Sequence, residues 1–216
     1  MSDVKSRREQ YSEATRAALL SAACRRFASS GFAGTALEDV AADVQATRGA
    51  VYHHFASKTA LFQAVYDELE TGMIAKLNAV MAAAATPGAA ARAVLDAFLD
   101  HACDPVYGRI VWLEAPLALG WQHWRECERQ YGYGLIEQIA KNLVDSGGFA
   151  SLPLDPTIRV TFHAVGAAGM ALAEAREQDK PRVKAEYAEV LSRLLGGMRA
   201  LAVQLRKFPG STAPGA

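Results

Sequence analysis

Several things are scarce or missing in this chain, and each exclusion narrows what it can be. Cysteine is scarce: Cys24, Cys103 and Cys127 are the whole set, odd in number and without a CxxC pair. That argues against a disulfide framework or a zinc site and leaves three free thiols in apolar helical contexts. Net charge is absent, with 23 Lys and Arg against 23 Asp and Glu, so bulk composition implies no polyanionic partner. No stretch approaches the roughly 18 consecutive apolar residues of a membrane span. The opening "MSDVKSRREQYSEATR" is too polar for a secretory leader. A cytoplasmic location with no membrane partner is therefore expected. Strand alternation and internal repeats are missing as well. So are a nucleophile elbow, a Gly-rich phosphate loop, an HExxH pair and paired catalytic carboxylates. The expectation is a protein that is not an enzyme, with no catalytic residue, cofactor or metal ligand to nominate.

What remains is helical. With 216 residues, about half of them hydrophobic, the chain can bury a substantial core. Its apolar residues recur at helical spacing between Gly/Pro breaks. The pattern predicts an all-α protein of about nine helices. The first runs from Ser12 to Ser29, with Leu19, Leu20, Ala23, Cys24 and Phe27 inward and Gly31 as its stop. A second follows "TALEDVAADV", where Thr35 and Glu38 have capping-box spacing. A third covers Arg48 to Phe55 behind Thr47 as N-cap, and a fourth runs from Lys58 to about Ala85 behind Ser57. Breaks at Asp104-Pro105, Pro116, Ser146 to Gly148, Leu154 to Pro156 and Asp179 to Pro181 separate five more, over 89–103, 106–113, 117–145, 156–178 and 182–207. The organisation expected is a head of residues 1–57, a helical body of 58–207 and a disordered tail of 208–216.

Charge is placed unevenly. Residues 1–60 hold 8 Lys and Arg against 6 Asp and Glu, and the positions matter more than the excess. Three short helices with a tight turn between the second and third match a helix-turn-helix whose third helix is the recognition element. On "TRGAVYHHFASK", Val51 and Phe55 share one face and anchor the helix, while Arg48 with Tyr52 and Gly49 with His53 face outward. A cation in a first helical turn opposes the macrodipole, and both Arg48 and Lys58 occupy such positions. That placement makes sense if an anion docks at both helix N-termini. Gly49 lowers helix propensity by about 1 kcal/mol relative to alanine but lets a groove wall approach. On this reading Tyr52, His53, His54 and Lys58 contact phosphates, Arg48 reaches guanine O6/N7 and Ala50 offers its methyl to thymine. The adjacent histidines diverge by about 100° and suggest no metal.

The run "TALEDVAADVQATRGAVYHHFASKTALFQAVYDEL", residues 35–69, resembles the DNA-binding signature of the TetR family of transcriptional repressors. The resemblance implies phosphate contacts from Thr35, Tyr52, His53, His54 and Lys58, and base-facing positions at Thr47, Arg48, Gly49 and Ala50. It departs from the family at Gln45-Ala46, where Gly-Val is usual. A left-handed residue in that turn would cost Gln45 roughly 1–2 kcal/mol.

The body offers aromatic stripes. Trp112, Trp121 and Trp124 fall close together, with Phe98, His101, Tyr131, Phe162, His163 and Met170 at helical spacing on neighbouring segments. They are candidates for an apolar pocket with a few polar groups, fit for a hydrophobic or aromatic small-molecule effector. Small residues in "VGAAGMALAEA", including Gly166 and Gly169, precede a wide apolar stripe through Leu191, Leu194, Leu195, Met198 and Leu201. Two such helix pairs would form a two-fold four-helix bundle, and the TetR resemblance implies the same homodimer. Together these features point to a ligand-responsive repressor that binds a near-palindromic operator in double-stranded DNA. The alternative is a helical ligand-binding or scaffolding protein without DNA binding.

Overall fold

A computed structural model describes residues 6–147 and 153–206, with side chains through residue 197. Among the described residues every regular element is helical. The expected tail, 208–216, and the side chains of Met198 and Leu201 lie outside the described residues.

Helix α1 (Arg7–Gly34) begins five residues before the expected Ser12. The reason is a capping box: the Ser6 hydroxyl accepts from the Glu9 N–H, and the Glu9 carboxylate takes the Ser6 N–H at 2.8 Å. Leu19, Leu20, Ala23 and Phe27 are buried, as their spacing predicts, and Cys24 is half-buried. Gly31 breaks the helix with φ +73, and one further turn follows through Gly34. Helix α2 (Leu37–Asp43) and helix α3 (Arg48–His54) are each seven residues long. Arg26 grips Asp43 with two hydrogen bonds of 2.7 Å, fixing α2 to α1. Helix α4 (Lys58–Ala83) starts behind Ser57, whose hydroxyl accepts from the Ala60 N–H.

Helix α5 (Pro87–Ala102) is capped by Thr86 with proline in its first turn. The next run, α6 (105–119), is α-helical over Pro105–Tyr107, π-helical over Gly108–Glu114 and α-helical again over Ala115–Leu119. The predicted break at Pro116 is corrected: the chain passes through the proline and stops at Gly120, φ +82. A wider π turn immediately ahead relieves the clash with the preceding carbonyl that would otherwise end a helix there. Helix α7 (121–145) likewise contains a π turn, Arg129–Tyr133. Helices α8 (Leu154–Glu174) and α9 (Lys180–Arg206) are the last among the described residues.

These elements pack as two compact units, residues 1–72 with 104–125, and 73–103 with 126–216. The first unit thus holds α1 to α3, the start of α4, and α6. Its core joins Phe27, Phe32 and Phe62, with Phe27 and Phe62 edge to face at 5.0 Å. In the second unit, the Lys180 ammonium donates to the Cys103 carbonyl at 2.8 Å, and Lys184 pairs with Asp100. Both lysines tie the start of α9 to the end of α5.

Candidate nucleic-acid interface

Helix α3 is oriented by its two apolar residues. Val51 is fully buried and Phe55 nearly so, so the opposite side must face out. Thr47 caps the helix as predicted, its hydroxyl accepting from the Ala50 N–H at 3.2 Å. Gln45 is the one non-glycine among the described residues with positive φ, +54. The turn has kept its left-handed bend despite lacking glycine.

The outward face carries Thr47, Arg48, Gly49, Tyr52 and His53, all exposed, with Ala50 and His54 half-buried beside them. Arg48 is held in the open: its guanidinium pairs with Glu38 at 2.8 Å and lies over the Tyr52 ring. An exposed pair of this kind is exchanged for another anion at little cost. A β-carbon built on Gly49 would meet nothing nearer than the Thr47 hydroxyl, 3.7 Å away. Packing within the protein therefore does not require glycine there. His54 is pulled below the ordinary imidazole range, first by burial and then by the nearby His53 and Arg16. An open concavity of about 650 Å³ adjoins the face, lined by Ala36, Glu38, Arg48, Tyr52, Ser57 and Lys58 among others.

Two of the nominated residues are placed differently from the expectation. Thr35 does not cap α2; Ala36 holds that position with no side-chain hydrogen bond. The Thr35 side chain is buried, and its hydroxyl donates to the Gly31 carbonyl at 2.8 Å. Lys58 is drawn inward. Its ammonium donates to the carbonyls of Phe32 at 2.8 Å and Thr35 at 3.0 Å and sits over the Phe32 ring. It caps the carboxyl end of α1, where carbonyls lack helical partners. Sequence spacing missed this because the carbonyls are contributed from more than twenty residues upstream. Glu38, read as half of a capping box, is instead the partner of Arg48.

The nine residues nominated for a pocket divide between the two units. Trp112, Trp121 and Trp124 lie in the first. There Trp112 and Trp124 are buried edge to face, the Trp124 indole N–H donates to the Val111 carbonyl, and Trp121 is exposed. Trp112 and Trp124 pack within the first unit. Phe98, His101, Tyr131, Phe162, His163 and Met170 lie in the second unit, with Phe98 and Phe162 buried and His163 exposed. Of the nominated interface residues, Gly169 and Leu191 are buried within the protomer, whereas Leu194 is exposed and Gly166 and Leu195 are half-buried. Val190, on the same apolar stripe, is exposed, and so is Val160, which was not nominated.

Comparison with known proteins divides the chain by sequence. Residues 19–65 match the family described as "Bacterial regulatory proteins, tetR family", and residues 88–198 match "Tetracyclin repressor-like, C-terminal domain". A TetR-family transcriptional regulator from Pectobacterium atrosepticum has a similar fold, with TM-score 0.76 at 28% identity over 90% of this chain and 98% of that one. The regulator FadR from Bacillus subtilis, solved in complex with stearoyl-CoA, gives TM-score 0.68 at 16% identity over 81% of this chain and 96% of that one. The HTH-type transcriptional regulator TtgR of Pseudomonas putida is 43% identical over 63 residues, 29% of this chain. That match spans 30% of the relative's own length.

Proposed function

The chain is a member of the TetR family of transcriptional regulators, and we propose that it works as a homodimeric repressor. It binds a near-palindromic DNA operator and is released by a small hydrophobic or aromatic ligand. The observation that carries the DNA-binding step is the outward face of α3. Arg48, Gly49, Tyr52 and His53 are exposed on a helix locked from behind by Val51 and Phe55, and no internal packing explains the glycine. A helix so presented enters a major groove, with Arg48 reading guanine and Tyr52 and His53 on the phosphates.

Dimerisation is supported by Val160 on α8 and Val190 and Leu194 on α9, which leave apolar surface uncovered. A two-fold axis there would set two recognition helices roughly 34–36 Å apart, one turn of B-DNA. The effector is assigned to the second unit, among Phe98, His101, Tyr131, Phe162 and Met170. It acts by binding more tightly to a form whose heads no longer match the operator.

A gel-shift titration with the duplex flanking the protein's own gene tests this reading. Retardation at low salt that weakens steeply as salt rises is expected. A homodimer that leaves every duplex unshifted at low salt fits the alternative of a helical ligand-binding protein without DNA binding.

A further inference from the structure

The segment that leads from α1 into α2 is held from two sides. Gly31 breaks α1, so the Phe32 N–H begins a new turn without a carbonyl behind it. Glu114, the last residue of the π-helical stretch in α6, supplies the acceptor: its Oε2 takes the Phe32 N–H at 2.8 Å. Arg109 fixes that carboxylate from the other side, with Nε and Nη2 each 2.9 Å from Oε1. The approach is close: a β-carbon on Gly31, whose φ of +73 already favours glycine, would lie 2.8 Å from Glu114 Oε1. On the acceptor side, Lys58 of α4 takes the carbonyls of Phe32 and Thr35. Donor and acceptor groups of the same short segment are thus held by different helices.

At its other end α6 is tied to α4. The buried Tyr107 hydroxyl donates to Glu70 Oε1 at 2.7 Å. Tyr107 immediately precedes the π stretch and Glu114 closes it. A π turn inserts about one residue relative to α-helical register, on the order of 100° of rotation. With Tyr107 fixed, relaxation of that stretch to α register would swing Glu114 off Phe32.

We propose that Glu114 is a positioning residue: it transmits the register of α6 to the helix-turn-helix by capping Phe32, and so sets the aim of α2 and α3. The effect on DNA rests on the regulator reading above; the effect on the head does not.

The test compares full-length wild type, Glu114→Ala and Glu114→Gln, the last keeping an acceptor oxygen. Amide hydrogen exchange without DNA is read first. In Glu114→Ala, exchange is expected to accelerate about tenfold or more at Phe32 and through residues 36–55, with Glu114→Gln close to wild type. Loosening confined to residues 31–35, or none, overturns the proposal, as does equal loosening in both variants. The second readout is affinity for a duplex selected from a random pool by the wild type. Glu114→Ala should weaken it about tenfold with an unchanged salt slope, since no phosphate contact is removed. Unchanged affinity alongside a loosened head removes the claim that the aim matters. If the wild type selects no duplex, the regulator reading falls while the exchange measurement still decides the positioning role.

Discussion

The amino ends of α3 and α4 carry the same signature, a hydroxyl cap followed by a cation, yet the two cations do different work. Thr47 and Arg48 open a helix whose outer face is bare, and the guanidinium is paired only loosely, with a carboxylate that is itself exposed. Ser57 and Lys58 open a helix packed against the end of α1, and the ammonium is drawn inward onto two backbone carbonyls and a phenylalanine ring. The difference is one of surroundings. Where a neighbouring helix ends within reach, its terminal carbonyls draw in a flexible lysine. Where none does, the cation stays available.

The comparison breaks most visibly at Lys58. Lys58→Ala should lower the stability of the head by about 1.5–3 kcal/mol, since it strips a charged donor from partly buried carbonyls; urea denaturation measures it. The counterpart, Arg48→Ala, should leave the melting temperature within about 2 °C and blur one base position per half-site, seen by competition with single-base operator variants. Equal losses of stability in the two variants would erase the distinction.

Gln45→Gly sharpens the picture of how α3 is delivered. Removing the left-handed penalty should stabilise the head by about 1 kcal/mol with no loss of duplex affinity. Gly49→Ala should also stabilise, by about 1 kcal/mol, because the new methyl has room. Its duplex affinity should fall nonetheless, and that split between stability and binding marks a contact surface.

The smallest effect concerns His54, whose pKa is held low in the folded protein. The unfolded chain binds the proton more readily, so its stabilising contribution is present above the unfolded imidazole pKa of about 6.5. It is lost as pH falls below that value. His54→Gln should flatten that part of the stability profile between about pH 7 and 5, as read by thermal melts.

Local chemistry was legible in the sequence where cause and effect lie within a few residues. Thr47 as cap and Val51 and Phe55 as anchors follow from spacing on one short stretch, while the left-handed bend at Gln45 was implied by the TetR resemblance. Thr35 and Glu38 had the right spacing for a capping box and made none, because the Gly31 carbonyl claimed one hydroxyl and Arg48 claimed the carboxylate. The partners of Lys58 and Glu114 were out of reach of any pattern, being set by helix ends and a π turn that leave no periodic trace. Nearness in sequence did bring Trp112 and Trp124 together, edge to face within one packed unit.

The central claim is that the bare face of α3 reads duplex DNA. Selection of a random duplex pool by the full-length protein at low salt tests it most directly. The expected result is enrichment of a two-fold symmetric site with half-sites about 10 bp apart, and loss of one base preference per half-site in Arg48→Ala. A pool left unenriched by the wild type, or an Arg48→Ala protein that selects the same site with the same stringency, would contradict it.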